Sequence, residues 1–117
     1  NRSCFFKDLE TNKDCIQPPS DACSELFKVI ENRKRNPEKG SYTNSLFEEG
    51  DNKILKKIGE ETAELIMAFK DKDPFLVANE AADLIFHLQV ALANQNVSWT
   101  EVQKVLVNRR GAPRRNP

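Results

Sequence analysis

The stretch from Phe75 to about Asn94 is apolar on nearly every side, and yet it carries two carboxylates in its interior. At about 100° per residue, Val77, Ala81, Leu84 and Leu88 fall on one side of a helix, Phe75, Ala82 and Phe86 on another, and Ile85 and Leu92 on a third. Such a helix leaves no face for water and must be covered all round. A chain of 117 residues has too few further helices to do this alone, so the pattern predicts a homodimer, with a second copy as the remaining cover. Glu80, Asp83 and His87 form the one polar line along the helix. Charges in those surroundings are costly unless something offsets them.

The preceding segment supplies the other half of the pattern. Asp51 is placed to cap a long helix running to about Lys70, with Ile54, Leu55, Ile58, Leu65, Ile66 and Phe69 on one arc. Glu60, Glu61 and Glu64 occupy the neighbouring arc, Glu60 and Glu64 on one face and Glu61 at its edge. Glu80 and Asp83 stand one turn apart on the following helix, so five carboxylates converge if the two helices pack. Convergence alone is unfavourable, because like charges repel and desolvation disfavours each ionised form. Mg²⁺ removes the conflict: it takes oxygen ligands at about 2.0–2.1 Å and usually leaves positions for water and substrate phosphates. The acidic blocks therefore read as a Mg²⁺ site that presents a polyphosphate to water. The plain alternative for the first block is pairing of Lys56 with Glu60 and of Lys57 with Glu61 on a solvated face. It does not account for the acids inside the apolar helix.

The rest of the chain is helical or irregular. Residues 1–19 hold Phe5-Phe6 and Pro18-Pro19 but no sustained period, and read as a tail or linker. Ser20 or Asp21 can cap a first helix carrying Leu26, Val29 and Ile30, which ends in the basic stretch Arg33 to Gly40. Ser41-Tyr42-Thr43 opens a short helix closed by Gly50, and Asp73-Pro74 is a cap followed by proline at the first helical position. Ser98-Trp99-Thr100-Glu101 is a capping box for a last helix with Val102, Val105 and Leu106, stopped by Gly111. Residues 112–117 read as a disordered tail. With no strand and no internal repeat, the expectation is an all-α fold, with one domain over residues 20–111.

Composition narrows the partners. Formal net charge is zero with 31% charged residues, so no field of one sign points to nucleic acid or to an anionic membrane. Three cysteines, Cys4, Cys15 and Cys23, with no C-x-x-C spacing argue against a disulfide framework and for a reducing compartment. No apolar run approaches the roughly 18 residues of a membrane span, and no signal peptide is visible, so the expectation is a cytoplasmic protein. Asn96-Val97-Ser98 matches a glycosylation sequon, but Ser98 reads better as a cap. The first residue is not methionine, which leads us to expect a piece of a longer protein.

Among the remaining polar residues, Lys53, Lys56 and Lys57 are either solvated or meet phosphates, and Lys57, inside the acidic arc, is best placed. Arg109 and Arg110 suit a helix C-terminus through its dipole, or a phosphate. Ser41, Tyr42 and Thr43 either cap the short helix or offer hydroxyls to a ligand. His87 is a core residue or a hydrogen-bond donor to a carboxylate rather than a Mg²⁺ ligand, because Mg²⁺ prefers oxygen.

Four motifs together resemble a known family. They are Ser41-Tyr42-Thr43 with Leu46 and Gly50; Lys56-Lys57-Ile58-Gly59-Glu60-Glu61-Thr62-Ala63-Glu64; Glu80-Ala81-Ala82-Asp83-Leu84-Ile85-Phe86-His87-Leu88; and Arg109-Arg110-Gly111. In this order they resemble phosphoribosyl-ATP pyrophosphohydrolase, of the all-α, MazG-like nucleoside triphosphate pyrophosphatases. The resemblance implies Mg²⁺-dependent hydrolysis of 1-(5-phosphoribosyl)-ATP to 1-(5-phosphoribosyl)-AMP and pyrophosphate, the second step of histidine biosynthesis. It also implies a helical homodimer with Glu60, Glu61, Glu64, Glu80 and Asp83 as metal ligands. On this reading Glu61 is the residue that takes the proton of the attacking water, and Lys57, Lys56, Ser41, Tyr42, Thr43, Arg109 and Arg110 meet the substrate. Asn1-Arg2-Ser3-Cys4-Phe5-Phe6 is similar to the end of phosphoribosyl-AMP cyclohydrolase, which implies an upstream cyclohydrolase domain in the parent chain. The cysteine matching Cys4 is a zinc ligand in that family; its partner ligands are absent here, so neither zinc nor cyclohydrolase activity is expected. A house-cleaning pyrophosphatase acting on other nucleotides would use the same acids, and a non-catalytic dimerisation module would explain the apolar helix but not the acids.

Overall fold

The structure is a computed structural model that describes residues 21–110; the expectations for the tails, for Cys4 and Cys15 and for the Gly111 stop lie outside the described residues. Five helices follow one another: α1 (Ala22–Arg35), α2 (Tyr42–Glu49), α3 (Asp51–Asp71), α4 (Pro74–Asn94) and α5 (Trp99–Arg109). The described residues contain no strand, and the all-α expectation holds.

Local chemistry sets the helix ends. The Ser41 hydroxyl accepts from the Asn44 N–H at 3.2 Å, Asp73 Oδ1 from Phe75 and Leu76 at 3.0 and 3.3 Å, and Ser98 Oγ from Glu101 at 3.1 Å. These are the side-chain caps that Ser and Asp supply. Half of the expected capping box forms at α5, since the Glu101 carboxylate turns to Lys104 at 3.9 Å. One cap is corrected. Gly50, not Asp51, stands at the start of α3: its N–H donates to Leu46 at 3.0 Å while its carbonyl accepts from Ile54 at 3.1 Å. A single residue joins two helices there with φ at 91°, a conformation glycine adopts without a Cβ penalty. Asp51 is instead the first helical residue, favourable beside the dipole, and its Oδ1 accepts from Asn94 Nδ2 at 3.4 Å.

That bond ties the beginning of α3 to the end of α4, so the two 21-residue helices form an antiparallel hairpin turned by Lys72, whose φ is 59°. Helices α1 and α2 cover one end of the hairpin. The core consists of Leu26, Phe27 and Ile30 from α1, Leu46 from α2, Ile54 from α3, and Phe86, Val90, Ala91 and Ala93 from α4. Two polar staples hold this end together. Lys34 Nζ donates to the Ala93 carbonyl at 2.7 Å and to Asn96 Oδ1 at 2.9 Å. Buried Asn44 accepts from the Glu38 N–H and donates to the Arg33 carbonyl, both at 2.7 Å, fixing the connection between α1 and α2. Ile54 has no exposed surface. We expect Ile54→Ala to cost about 2–5 kcal/mol, read as a lowered urea midpoint at unchanged slope.

At the other end the hairpin is bare. The arc expected to be buried on α3 splits: Ile54 is enclosed, but Leu55, Ile66 and Phe69 are exposed, as are Met67 beside them and Phe75 on α4. In α5, Val105 and Leu106 are exposed too. By length and composition α4 is apolar enough to cross a membrane, although charges interrupt its apolar runs. Its C-terminal half lies in the core, and its midsection carries Glu80 and Asp83.

Candidate metal centre and active site

The acids occupy the boundary between the packed end of the hairpin and the bare one. Ile54, Glu61 and Ala68 are spaced by sevens, two helical turns, and all three are buried. Glu61 therefore lies on the inward stripe of α3, with 7% of its surface exposed, whereas Glu60 and Glu64 are exposed. This reverses the expected arrangement, in which Glu61 was at the edge. One carboxylate oxygen from each of Glu61, Glu64 and Glu80 lies within 4.8 Å of the other two. Glu60 stands outside this trio and pairs with Lys57 at 3.5 Å. Asp83 is close enough to the trio to act on the charge of Glu61.

Electrostatics follow from this crowding. Burial, then Glu64 and Asp83, push the Glu61 carboxyl up to about 7, against the pull of Lys57. Lys57 Nζ lies 3.8 Å from Glu61 Oε2, while Glu61 Oε1 is buried with no hydrogen-bond partner. For Lys57 burial is the largest single influence and acts downward, but Tyr42, Glu61 and Glu60 outweigh it and hold the ammonium above its ordinary range. Of the two lysine pairings expected from spacing, Lys57 with Glu61 forms; Lys56 is exposed.

The trio fits a divalent cation. Two oxygens on opposite sides of Mg²⁺ stand about 4.2 Å apart and adjacent ones about 3 Å, given ligand distances of about 2.1 Å. The three oxygens, within 4.8 Å of one another, stand close to that range. The oxygen-only donor set suits Mg²⁺, and the orphaned Oε1 of Glu61 supplies a lone pair that nothing in the fold uses.

Beside the acids, Tyr42 stacks on Phe86 with centroids 6.0 Å apart, and its hydroxyl lies 3.0 Å from His87 Nε2. His87 Nδ1 lies 2.8 Å from the Asp83 backbone carbonyl, so its expected carboxylate partner is replaced by a main-chain one. Burial holds the His87 imidazole below its ordinary value, against that hydrogen bond. Burial likewise raises the Tyr42 phenol, with Lys57 pulling down and Glu61, Asp83 and Glu60 pushing further up. Ser41 is engaged as a cap and Thr43 is half-buried on the same short helix. Arg109 and Arg110 lie exposed at the end of α5, which packs chiefly on α1. Within one chain they are not assembled with the acids.

Comparison with known proteins now decides the class. The family model for phosphoribosyl-ATP pyrophosphohydrolase matches residues 23–110. The chain belongs to this family. It is 60% identical over 119 residues to the "Histidine biosynthesis bifunctional protein HisIE" of Parasynechococcus marenigrum (strain WH8102), covering 98% of this chain and 54% of the relative. The protein of the same name from Prochlorococcus marinus (strain MIT 9313) is also 60% identical, with the same coverage, and that of Thermosynechococcus vestitus (strain NIES-2133 / IAM M-273 / BP-1) is 48% identical, with 93% and 51% covered. The chain spans about half the length of the curated relatives it matches. Membership makes it a hydrolase domain, and the names of those relatives describe bifunctional proteins of histidine biosynthesis.

Proposed function

We propose that the groove between α3 and α4 binds Mg²⁺ through Glu61, Glu64 and Glu80, with Asp83 beside them, and hydrolyses 1-(5-phosphoribosyl)-ATP to 1-(5-phosphoribosyl)-AMP and pyrophosphate. The observation that carries this reading is the buried, unpartnered Oε1 of Glu61 beside two further carboxylates in a chain of this family. Bound Mg²⁺ supplies charge neutralisation at the phosphoryl oxygens and a more acidic water.

The chain's own groups do the rest. The water oxygen bonds to one phosphorus of the α–β anhydride, the bond from that phosphorus to the bridging oxygen breaks, and phosphoribosyl-AMP and pyrophosphate separate, one of them carrying the bridging oxygen. Glu61, ionised once the ion has displaced its proton, takes the water's proton as the general base of the groove. Lys57 offers its ammonium to the phosphates, Lys56 lies one position further out, and Arg109 and Arg110 are the remaining cations for the substrate. Glu60 joins the metal only by giving up Lys57. Glu80→Gln is expected to leave the fold intact and to abolish pyrophosphate release from phosphoribosyl-ATP. Full activity in that variant removes Glu80 from the site, and faster release from ordinary nucleoside triphosphates than from phosphoribosyl-ATP makes the domain a house-cleaning enzyme instead.

The bare end of the hairpin supports a homodimer. Ile66, Met67, Phe69 and Phe75 together expose apolar surface that a second copy would cover. Phe69→Asp should shift the sedimentation coefficient from dimer to monomer at micromolar concentration; an unchanged coefficient moves the interface elsewhere. In the parent chain we place a cyclohydrolase domain upstream, as the relatives' bifunctional names support, and the reaction in the cytoplasm.

A further inference from the structure

Tyr42 is the chain's only tyrosine, and its ring is held in place from two sides. One face stacks on buried Phe86, with centroids 6.0 Å apart and planes inclined by 24°. His87 meets the ring edge-on, at a centroid distance of 5.9 Å. The hydroxyl is committed as well. The Asp83 backbone carbonyl can only accept, so His87 Nδ1, 2.8 Å away, carries a proton and donates it. The buried imidazole is neutral, which leaves Nε2 as a lone pair to which the Tyr42 hydroxyl donates across 3.0 Å. A phenol has one proton to give, so Tyr42 has none left for a phosphate. Yet 38% of the residue is exposed, and the side of the ring left open is the face turned away from Phe86. A rigid aromatic ring with one open face is a stacking platform.

The platform is within reach of the acids. Along α4, His87 follows Asp83 by one turn and Glu80 by two, roughly 6 and 10 Å of helix. A nucleotide whose polyphosphate lies at Glu61, Glu64 and Glu80 covers that distance with one phosphate and its ribose, and so brings its base to Tyr42. The base itself is unusual. Substitution at N1 turns the exocyclic amine of adenine into an imine, which takes up a proton near neutral pH and makes the purine a delocalised cation; the base of ATP is neutral. An aromatic face attracts a cation through its quadrupole. We propose that the open face of Tyr42 stacks on the N1-substituted adenine of the substrate and, by favouring the cationic ring, makes the groove select phosphoribosyl-ATP over ATP. This rests on the hydrolase reading and names the residue that reads the base.

Monophosphates read the base without cleavage. Three are compared by calorimetry at pH 7 with Mg²⁺ and the 117-residue chain: 1-methyl-AMP, whose base is a cation, AMP, whose base is neutral, and 1-methyl-IMP, which keeps the methyl group and is neutral. Wild type should bind 1-methyl-AMP about tenfold or more tightly than either of the others. Tyr42→Leu should lose that preference, and Tyr42→Phe, which keeps the ring and drops the hydroxyl, should recover most of it. Tyr42→Leu also takes the donor from His87 Nε2, so a second measurement uses wild type alone. In proton NMR the single tyrosine gives one set of ring signals, which should move upfield with 1-methyl-AMP, together with H2 and H8 of the bound base. Equal affinities for 1-methyl-AMP and 1-methyl-IMP, a preference that survives Tyr42→Leu, one that Tyr42→Phe fails to recover, or tyrosine signals that stay in place each overturn the proposal. A wild type that binds none of the three overturns it too. Selective binding by a chain that does not cleave phosphoribosyl-ATP defeats the hydrolase reading alone, whereas cleavage by a chain without the preference defeats this inference alone.

Discussion

Glu61→Gln should cut hydrolysis by about a thousandfold or more and, in the same molecule, raise the melting temperature of the metal-free protein at pH 8 by about 5 °C or more. The two effects have one origin. Glu61 is buried beside Glu64 and Asp83, and its carboxyl is raised from 4.5 to about 7. The folded chain therefore holds a proton at pH values where the unfolded chain has lost it. By linkage, this group's contribution to stability is greatest below about 4.5, falls as pH climbs towards 7, and levels off above. A glutamine is neutral throughout, so the variant loses that slope and is relieved of the buried charge at pH 8. Denaturation midpoints from pH 4 to 9, without metal, read both the slope and its loss. Identical pH profiles for the two proteins would mean that the Glu61 carboxylate is well solvated.

Mg²⁺ should stabilise the wild type strongly, and increasingly so with pH. At a concentration about a hundred times the dissociation constant, binding only the folded state adds about 2.7 kcal/mol, or on the order of 10 °C for a domain of this size. Because the ion needs ionised carboxylates and Glu61 is protonated below about 7, the rise should be small at pH 5 and full at pH 8. Any self-association through the bare end of the hairpin would add its own concentration dependence, so the comparison is made at one protein concentration. A rise of equal size at both pH values would place the ion on other groups.

Most of the helical framework was legible because the signals are local. Ser41, Asp73-Pro74 and Ser98 start their helices where capping chemistry says they should. Asp51 misled, since it competes with a glycine at positive φ that ends one helix and begins the next. The site was legible as a set of acids but not in its centre. Placing Glu61 inward required reading Ile54, Glu61 and Ala68 as one stripe at a spacing of seven, a signal present in the chain but masked by the larger apolar residues at Leu55, Ile66 and Phe69. The Tyr42–His87 bond had no sequence signal at all, because it depends on how α2 crosses α4. The exposed apolar end of α3 shows the limit from the other side: periodicity says that a face must be covered, not by which chain.

Calorimetric titration of Mg²⁺ into the wild-type chain at pH 7, repeated in two buffers of different ionisation enthalpy, bears most directly on the carboxylate trio. If an ion enters between Glu61, Glu64 and Glu80, binding must displace the proton held on Glu61, so the two buffers should give different heats with a fraction of a proton released per ion, and Glu61→Gln should show neither binding nor release. Heats that do not depend on the buffer, or an affinity that survives Glu61→Gln unchanged, would contradict a metal centre built on this buried carboxylate.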